Sequence, residues 1–337
     1  MKNILRDITF IMLILPSICW GGTGTSGAQF LQLGGGSRST ALGGAYAALV
    51  GGVESVFINP AGLATLSQTE AMFTHSEFYA GLNYENVAFG VPISVGSITL
   101  SATALLSGDI EQTTIDQPNG TGEMFSANDY SFNISYARRM TDKFSAGVTL
   151  KFILLNLAEV QARGLAFDIG GIYNTGIKNL RIGFAVNNFG SDLKYAGKVL
   201  EFQTRKEDNP SQDSDVDATY ESELFQLPLT FRVGLAFDLI KSEKHVVTIL
   251  TDGVNPNDQD ENLVVGLEYQ FQNNYSLRVG YAGVLNGFDE SGLNGRGLSA
   301  GAGAKINLGT NGVRLDYSFE DHKYLSNISR FSVSFLF

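Results

Sequence analysis

Of 337 residues, one is cysteine, one is tryptophan, three are histidine and seven are proline. The single cysteine, Cys19, has no partner for a disulfide within the chain. It also falls in a leader expected to be removed, which excludes disulfide and thiol chemistry from the mature protein. His75, His245 and His322 lie far apart, without metal-ligand spacing. Scarce proline leaves long segments free to pair as strands. No run of about eighteen uncharged apolar residues exists, so a helical membrane span is not expected. The net charge of −11 argues against a nucleic-acid partner. Gly34-x-Gly36 has no apolar strand before it and no βαβ pattern after it, so it is not a dinucleotide fingerprint. No nucleophile elbow is present. Neither a cofactor nor an enzymatic activity is expected.

Glycine is abundant at 39, and phenylalanine and tyrosine are frequent at 23 and 13. The first residues follow an export pattern: Lys2 and Arg6 are basic, Ile8 to Ile18 is a short apolar stretch, and Gly21 and Gly22 are small. Residues 1–21 are therefore expected to be a signal peptide, cut somewhere between 19 and 25.

From about Thr69 onward the chain alternates with period two. In 313–319, Val313, Leu315, Tyr317 and Phe319 form one face and Arg314, Asp316 and Ser318 the other. The same split recurs in 227–237, 275–281 and 144–154. A half-solvated sheet also alternates. Here one face is almost purely apolar and aromatic, while the other mixes Gly, Ser, Thr and single charges, which is the demand of lipid outside and a polar lumen inside. The expected strands are 70–79, 82–92, 96–107, 127–139, 143–156, 160–174, 178–189, 227–239, 244–253, 260–271, 275–285, 296–307, 312–320 and 327–337. Even-numbered strands end in tight turns and odd-numbered ones mostly in longer polar loops, such as 108–126 and 190–226, the asymmetry of an outer-membrane barrel. The fold expected over 69–337 is all-β, a transmembrane antiparallel β-barrel of fourteen strands, multi-pass in a Gram-negative cell outer membrane.

The chain stops on a strand whose outward set is Phe331, Val333, Phe335 and Phe337. This resembles the terminal signal read by the barrel-assembly machinery. Residues 22–68 break the alternation. They are rich in small residues, Ser39 or Thr40 is placed to cap a short Ala-rich helix, and Asn59-Pro60-Ala61-Gly62 follows. The segment is expected to be a small helical and irregular plug in the lumen.

Phe30-Leu31, Gly34 to Gly36, Arg38, Gly43-Gly44-Ala45 and Asn59-Pro60-Ala61-Gly62-Leu63, in this order, resemble the start of PorV/PorQ family outer-membrane proteins. These are relatives of the FadL-type long-chain fatty-acid channels. That family often carries two acids before Asn-Pro-Ala; here there is only Glu54. The resemblance implies fourteen strands around an N-terminal hatch. From the PorV side it implies a type IX secretion-associated role, binding secreted cargo or a surface attachment complex at extracellular loops. From the FadL side it implies a channel for hydrophobic small molecules such as fatty acids or aromatics. Periodicity and composition do not separate the two.

The candidate luminal network is Lys151, Arg181, Arg232, Glu268, Arg278, Lys305, Arg314 and Asp316, with Asp238. Ion pairing across neighbouring strands is the favoured account of it. Loop 190–226 is acidic, with Glu201, Glu207, Asp208, Asp213, Asp215, Asp217, Glu221 and Glu223. Asp213-x-Asp215-x-Asp217 has calcium-loop spacing, but Ala218 stands where glycine is needed and Leu224 where the bidentate Glu should be, so no metal is expected. The partners expected are outer-membrane lipid and lipopolysaccharide, the assembly machinery, and either secreted proteins or a hydrophobic small molecule.

Overall fold

A computed structural model describes residues 24–177, 179–204, 216–286, 296–322 and 327–337. The expected leader, with Cys19, lies outside them, as do Glu207, Asp208, Asp213 and Asp215. Fourteen antiparallel strands close into one barrel. They are β1 Glu70–Glu77, β2 Asn83–Ile93, β3 Gly96–Leu106, β4 Ala127–Arg139, β5 Phe144–Leu157, β6 Val160–Asn174, β7 Arg181–Gly190, β8 Thr230–Lys241, β9 His245–Pro256, β10 Asn262–Phe271, β11 Tyr275–Ala282, β12 Arg296–Leu308, β13 Asn311–His322 and β14 Ile328–Leu336. The seam pairs β1 with β14, from Glu70 opposite Leu336 to Glu77 opposite Ser329. Just past β14, the Phe337 N–H donates to the Thr69 carbonyl at 2.9 Å. The barrel itself has no unpaired edge, which is what hydrocarbon requires of a spanning sheet.

Side-chain alternation separates the two solvents. On β5, Val148, Leu150 and Phe152 are exposed outward, whereas Thr149 and Lys151 are buried. On β14, Phe331, Phe335 and the trailing Phe337 are exposed while Ser332 and Ser334 are buried; Val333 belongs to the same outward set. The apolar groups on the outside meet lipid, not water, so their exposure costs nothing in a membrane.

Several strand ends differ from the expectation by a few residues, and three of them have a clear local reason. β8 begins at Thr230 rather than 227. Pro228 has no N–H to donate to a ladder, and its carbonyl accepts from Asn188 Nδ2 at 3.1 Å. β7 begins at Arg181 rather than 178, because Thr175 N–H bonds the Leu180 carbonyl at 3.0 Å and closes a turn there. β11 stops at Ala282, where Gly283 takes φ +98°. The external connection between β5 and β6 is also tight, with Ala158 at φ +49°.

Residues 24–68 run inside the barrel as short helical turns: Gln29–Gln32, Ser37–Ala41, Val53–Phe57 and Pro60–Thr65. The segment starts at the long-loop end, where Gly24 N–H donates to the Asp258 carbonyl at 3.1 Å and Gly27 N–H to that of Gln226 at 2.9 Å. It finishes beside β1 at the short-turn end. The expected cap is corrected. Ser39 and Thr40 lie within the helix and their hydroxyls donate back to the Gly36 carbonyl at 3.1 and 2.9 Å. The N-cap is Gly36, with no side-chain bond. The free helix N–H groups are met from elsewhere: Ser37 N–H donates to Ser332 Oγ at 3.0 Å and Ser39 N–H to Glu54 Oε1 at 2.7 Å.

Candidate functional site: the plug and its seat

Asn59 anchors the plug. Its Nδ2 donates to the Ala47 carbonyl at 2.6 Å and to the Gly171 carbonyl of β6 at 3.3 Å, while Oδ1 accepts from Ala61 N–H at 3.0 Å. One buried side chain thus joins two passes of the plug to the wall and caps the turn Pro60–Thr65. Pro60 suits the first helical position. Ala61 and Gly62 are buried; a Cβ on Gly62 would lie 2.6 Å from Ser55 Oγ. These short contacts explain why small residues follow the asparagine.

The wall accommodates the plug by omitting side chains. A Cβ on Gly280 of β11 would lie 2.1 Å from both Gly43 N and Leu42 C, and one on Gly183 of β7 2.1 Å from the Ala47 carbonyl oxygen. Backbone therefore packs on backbone at well-separated positions around the barrel.

Much of the predicted luminal network forms one chain of ion pairs. Arg38 of the plug donates from Nε and Nη2 to the two oxygens of Glu268 at 2.8 and 2.7 Å. Glu268 also accepts from Arg278 at 2.7 Å, and Arg278 reaches Asp316 at 2.6 Å. Asp316 accepts from Arg314 Nε at 3.1 Å, and Arg314 Nη2 donates to Glu70 at 2.6 Å. Glu70 Oε2 then accepts from Val53 N–H of the plug at 3.3 Å. Charges alternate along a path that begins and ends in the plug. It crosses β12 where Gly303 stands: a Cβ there would lie 2.2 Å from Asp316 Oδ1. Breaking such a buried pair costs about 3–5 kcal/mol, because it strands the other charge.

The remaining predicted residues sit apart from this chain. Lys151 pairs with Asp168 at 2.8 Å and donates to Asn188 Oδ1 at 2.7 Å. Arg181 pairs with Asp238 at 2.8 Å near the short-turn end. Arg232 reaches the Gly44 carbonyl at 3.4 Å. Lys305 lies on the lumen face with no carboxylate within 4.0 Å among the described residues.

Several contributors were not singled out from the sequence. Glu70 and Asp168 complete the pairs above. Asp252 accepts from Tyr46 and Ala47 N–H at 2.9 and 2.8 Å. Period two places these acids on the inward face, but only the fold brings the plug backbone to them. Glu54, the single acid before Asn-Pro-Ala, is buried in the plug. Burial pushes its pKa above the ordinary carboxylate value, partly offset by the Ser39 hydrogen bond.

The two mouths differ in chemistry. At the long-loop end, Phe30 of the plug packs with Phe78, Tyr84, Ile153, Leu155, Leu193 and Leu227 into an apolar cap. Arg330 lies against the Phe78 and Tyr84 rings at 5.5 and 5.4 Å and donates to the Leu33 carbonyl at 2.7 Å. The described residues on either side of the β7–β8 connection meet at this end through a bridge between Leu193 and Phe225. The described acids of this connection, Glu201, Asp217, Glu221 and Glu223, are exposed. At the short-turn end, a polar cavity of about 340 Å³ opens between the plug and β10–β13. Among the described residues, no group of three or more His, Cys, Asp or Glu side chains is placed to hold a metal.

No family model matches the chain, and no curated protein does. Solved structures are similar to it. The Pseudomonas putida toluene transporter TodX shares 13% identity at a TM-score of 0.57, over 90% of this chain and 98% of its own. The CymD monoaromatic hydrocarbon channel shares 14% at 0.56, over 90% and 97%. A Pseudomonas aeruginosa FadL homologue shares 10% at 0.52, over 90% and 98%. At such low identity the likeness is one of fold. This chain has the FadL-like fold: a closed fourteen-stranded barrel of the Gram-negative outer membrane.

Proposed function

We propose that this chain is an outer-membrane channel admitting hydrophobic small molecules. The observation that carries the reading is the apolar cap, built jointly by Phe30 of the plug and by loop and strand residues at the external mouth. The cluster is buried, so a hydrophobic solute entering from outside inserts into it, and seating there removes its apolar surface from water at about 25 cal/mol per Å². Because plug and loops share the cluster, a bound solute competes with the contacts that hold the plug's upper end. The similar structures include channels for toluene and monoaromatic hydrocarbons, which supports the same class of solute for this chain. No catalytic step is part of the proposal.

Uptake of a labelled monoaromatic or long-chain fatty acid by cells producing the full chain tests it. Saturable uptake above the vector control is expected, reduced by Leu193→Ser, which places a hydroxyl in the cap. Uptake equal to the control in both strains overturns the reading.

A second reading is favoured by one observation: the plug residues Ala41, Leu42, Ala47, Val53 and Leu63 are completely buried, so the plug is packed tightly into the lumen at these positions. A plugged barrel with an acidic external loop suits a PorV-type partner-binding role. Capture of secreted proteins on the chain from native outer membrane, without any uptake, is its signature.

A further inference from the structure

We infer that the short-turn mouth holds an anion-binding site. It takes one carboxylate or phosphate group between Lys305 and Arg314 of the wall and the Gly51–Gly52 backbone of the plug. This site stands apart from the transport proposal and does not depend on it.

Charge placement is the first reason. Lys305 and Arg314 are directly opposite in the β12–β13 register, both on the lumen face. Like charges directly opposite one another destabilise a sheet. The neighbouring arginines are already matched: Arg38, Arg278 and Arg314 share Glu268, Asp316 and Glu70. Lys305 is the surplus cation, with no carboxylate within 4.0 Å among the described residues. An anion between it and Arg314 converts the repulsion into two attractive contacts.

Space and backbone are the second reason. The cavity in front of this pair measures about 340 Å³ and is lined by Lys305, Arg314, Gly51, Gly52, Gln270 and Asn274. Gly51 and Gly52 lie at φ +93° and +85°. Among the described residues, their N–H groups meet no protein acceptor. Successive N–H groups in such turns form concavities that suit anions. Lys305 and Arg314 on one side and amide N–H groups on the other supply the donors; the Glu70 carboxylate on the same cavity wall is already bonded to Arg314 and to Val53 N–H. Short turns of an outer-membrane barrel face the periplasm, so the ligand comes from the water on that side. Bound there, it ties the plug to β12 and β13 where the ion-pair chain does not.

Thermal unfolding of the full chain in non-ionic detergent tests this, comparing inorganic phosphate and acetate with chloride at equal ionic strength. Phosphate or acetate is expected to raise the Tm by about 2 °C or more over chloride. Lys305→Gln is expected to abolish that rise and, in chloride, to melt at or above wild type because the like-charge pair is gone. Lys305→Glu, which places a carboxylate opposite Arg314, is expected to behave likewise. Equal melting in all three salts overturns the proposal, as does an undiminished response in Lys305→Gln. A Lys305→Gln melting point below wild type in chloride also overturns it, since Lys305 would then already have a partner. Nanodiscs with and without anionic phospholipid separate the source. A rise seen only with the lipid places the ligand in the bilayer and overturns the aqueous site.

Discussion

At the scale of single residues, the plug is held by side chains that are missing as much as by those present. Gly280 leaves room for the backbone of Leu42 and Gly43, and any Cβ there collides with main-chain atoms that have nowhere to go. Overpacking typically costs about 1–3 kcal/mol, so Gly280→Val is expected to lower the Tm measurably. Gly253→Ala is the contrast, because its Cβ would meet nothing nearer than 3.9 Å and the Tm should hold. Glu54 offers a pH test. Its folded pKa is raised, mainly by burial, so the folded state binds this proton more readily than the unfolded chain. Its destabilising contribution is absent below the unfolded carboxylate pKa, grows as pH rises toward the folded value, and is complete above it. Glu54→Gln, which keeps an oxygen for Ser39 N–H, should lessen the loss of stability between mildly acidic and neutral pH. A Tm profile unchanged by the substitution contradicts this.

At the scale of elements, the strands were legible and the plug contacts were not. Period two on β5, β8, β11 and β13 reports a strand with different solvents on its two faces. Because each face is uniform, the alternation survives in a single sequence. Strand ends were less legible where a local feature decides them, as at Pro228 and at the turn closed by Thr175 and Leu180. In the candidate site, inward charges such as Glu268 and Arg314 were readable from parity alone. Their partners Arg38 and Glu70 were not, since contacts 230 and 244 residues apart in sequence carry no periodic trace. The inward glycines were visible only as members of the small-residue face, and their meaning depends on what lies opposite. The outward face gives a direct prediction. Leu150 is exposed midway along β5, and Leu150→Arg should cost about 2–4 kcal/mol when the barrel folds into lipid vesicles. A substitution without effect would mean that this face does not meet hydrocarbon.

At the scale of the whole molecule, the barrel is a fixed wall around a seat that is mostly polar. The plug is fastened by alternating charges from Arg38 to Glu70, by Asn59 and by Asp252, and by apolar clusters at the external mouth, around Leu42 and Tyr46, and around Val53 and Leu63. The polar fastenings suit a part that moves, because hydrogen bonds and ion pairs exchange with water as the plug shifts, while the apolar clusters must part as it does. Transport then requires displacement of the plug, and a partner-binding role does not. Ser37 and Ser332 bring plug and wall together, their hydroxyl oxygens 2.8 Å apart. The described residues contain no cysteine, so Ser37→Cys with Ser332→Cys is placed to form a bond that locks the plug. The decisive measurement is hydrophobic-solute uptake by cells producing this double variant, oxidised and then reduced. The account predicts uptake blocked when oxidised and restored by reductant, while either single variant transports throughout. Uptake undiminished with the lock closed would contradict it.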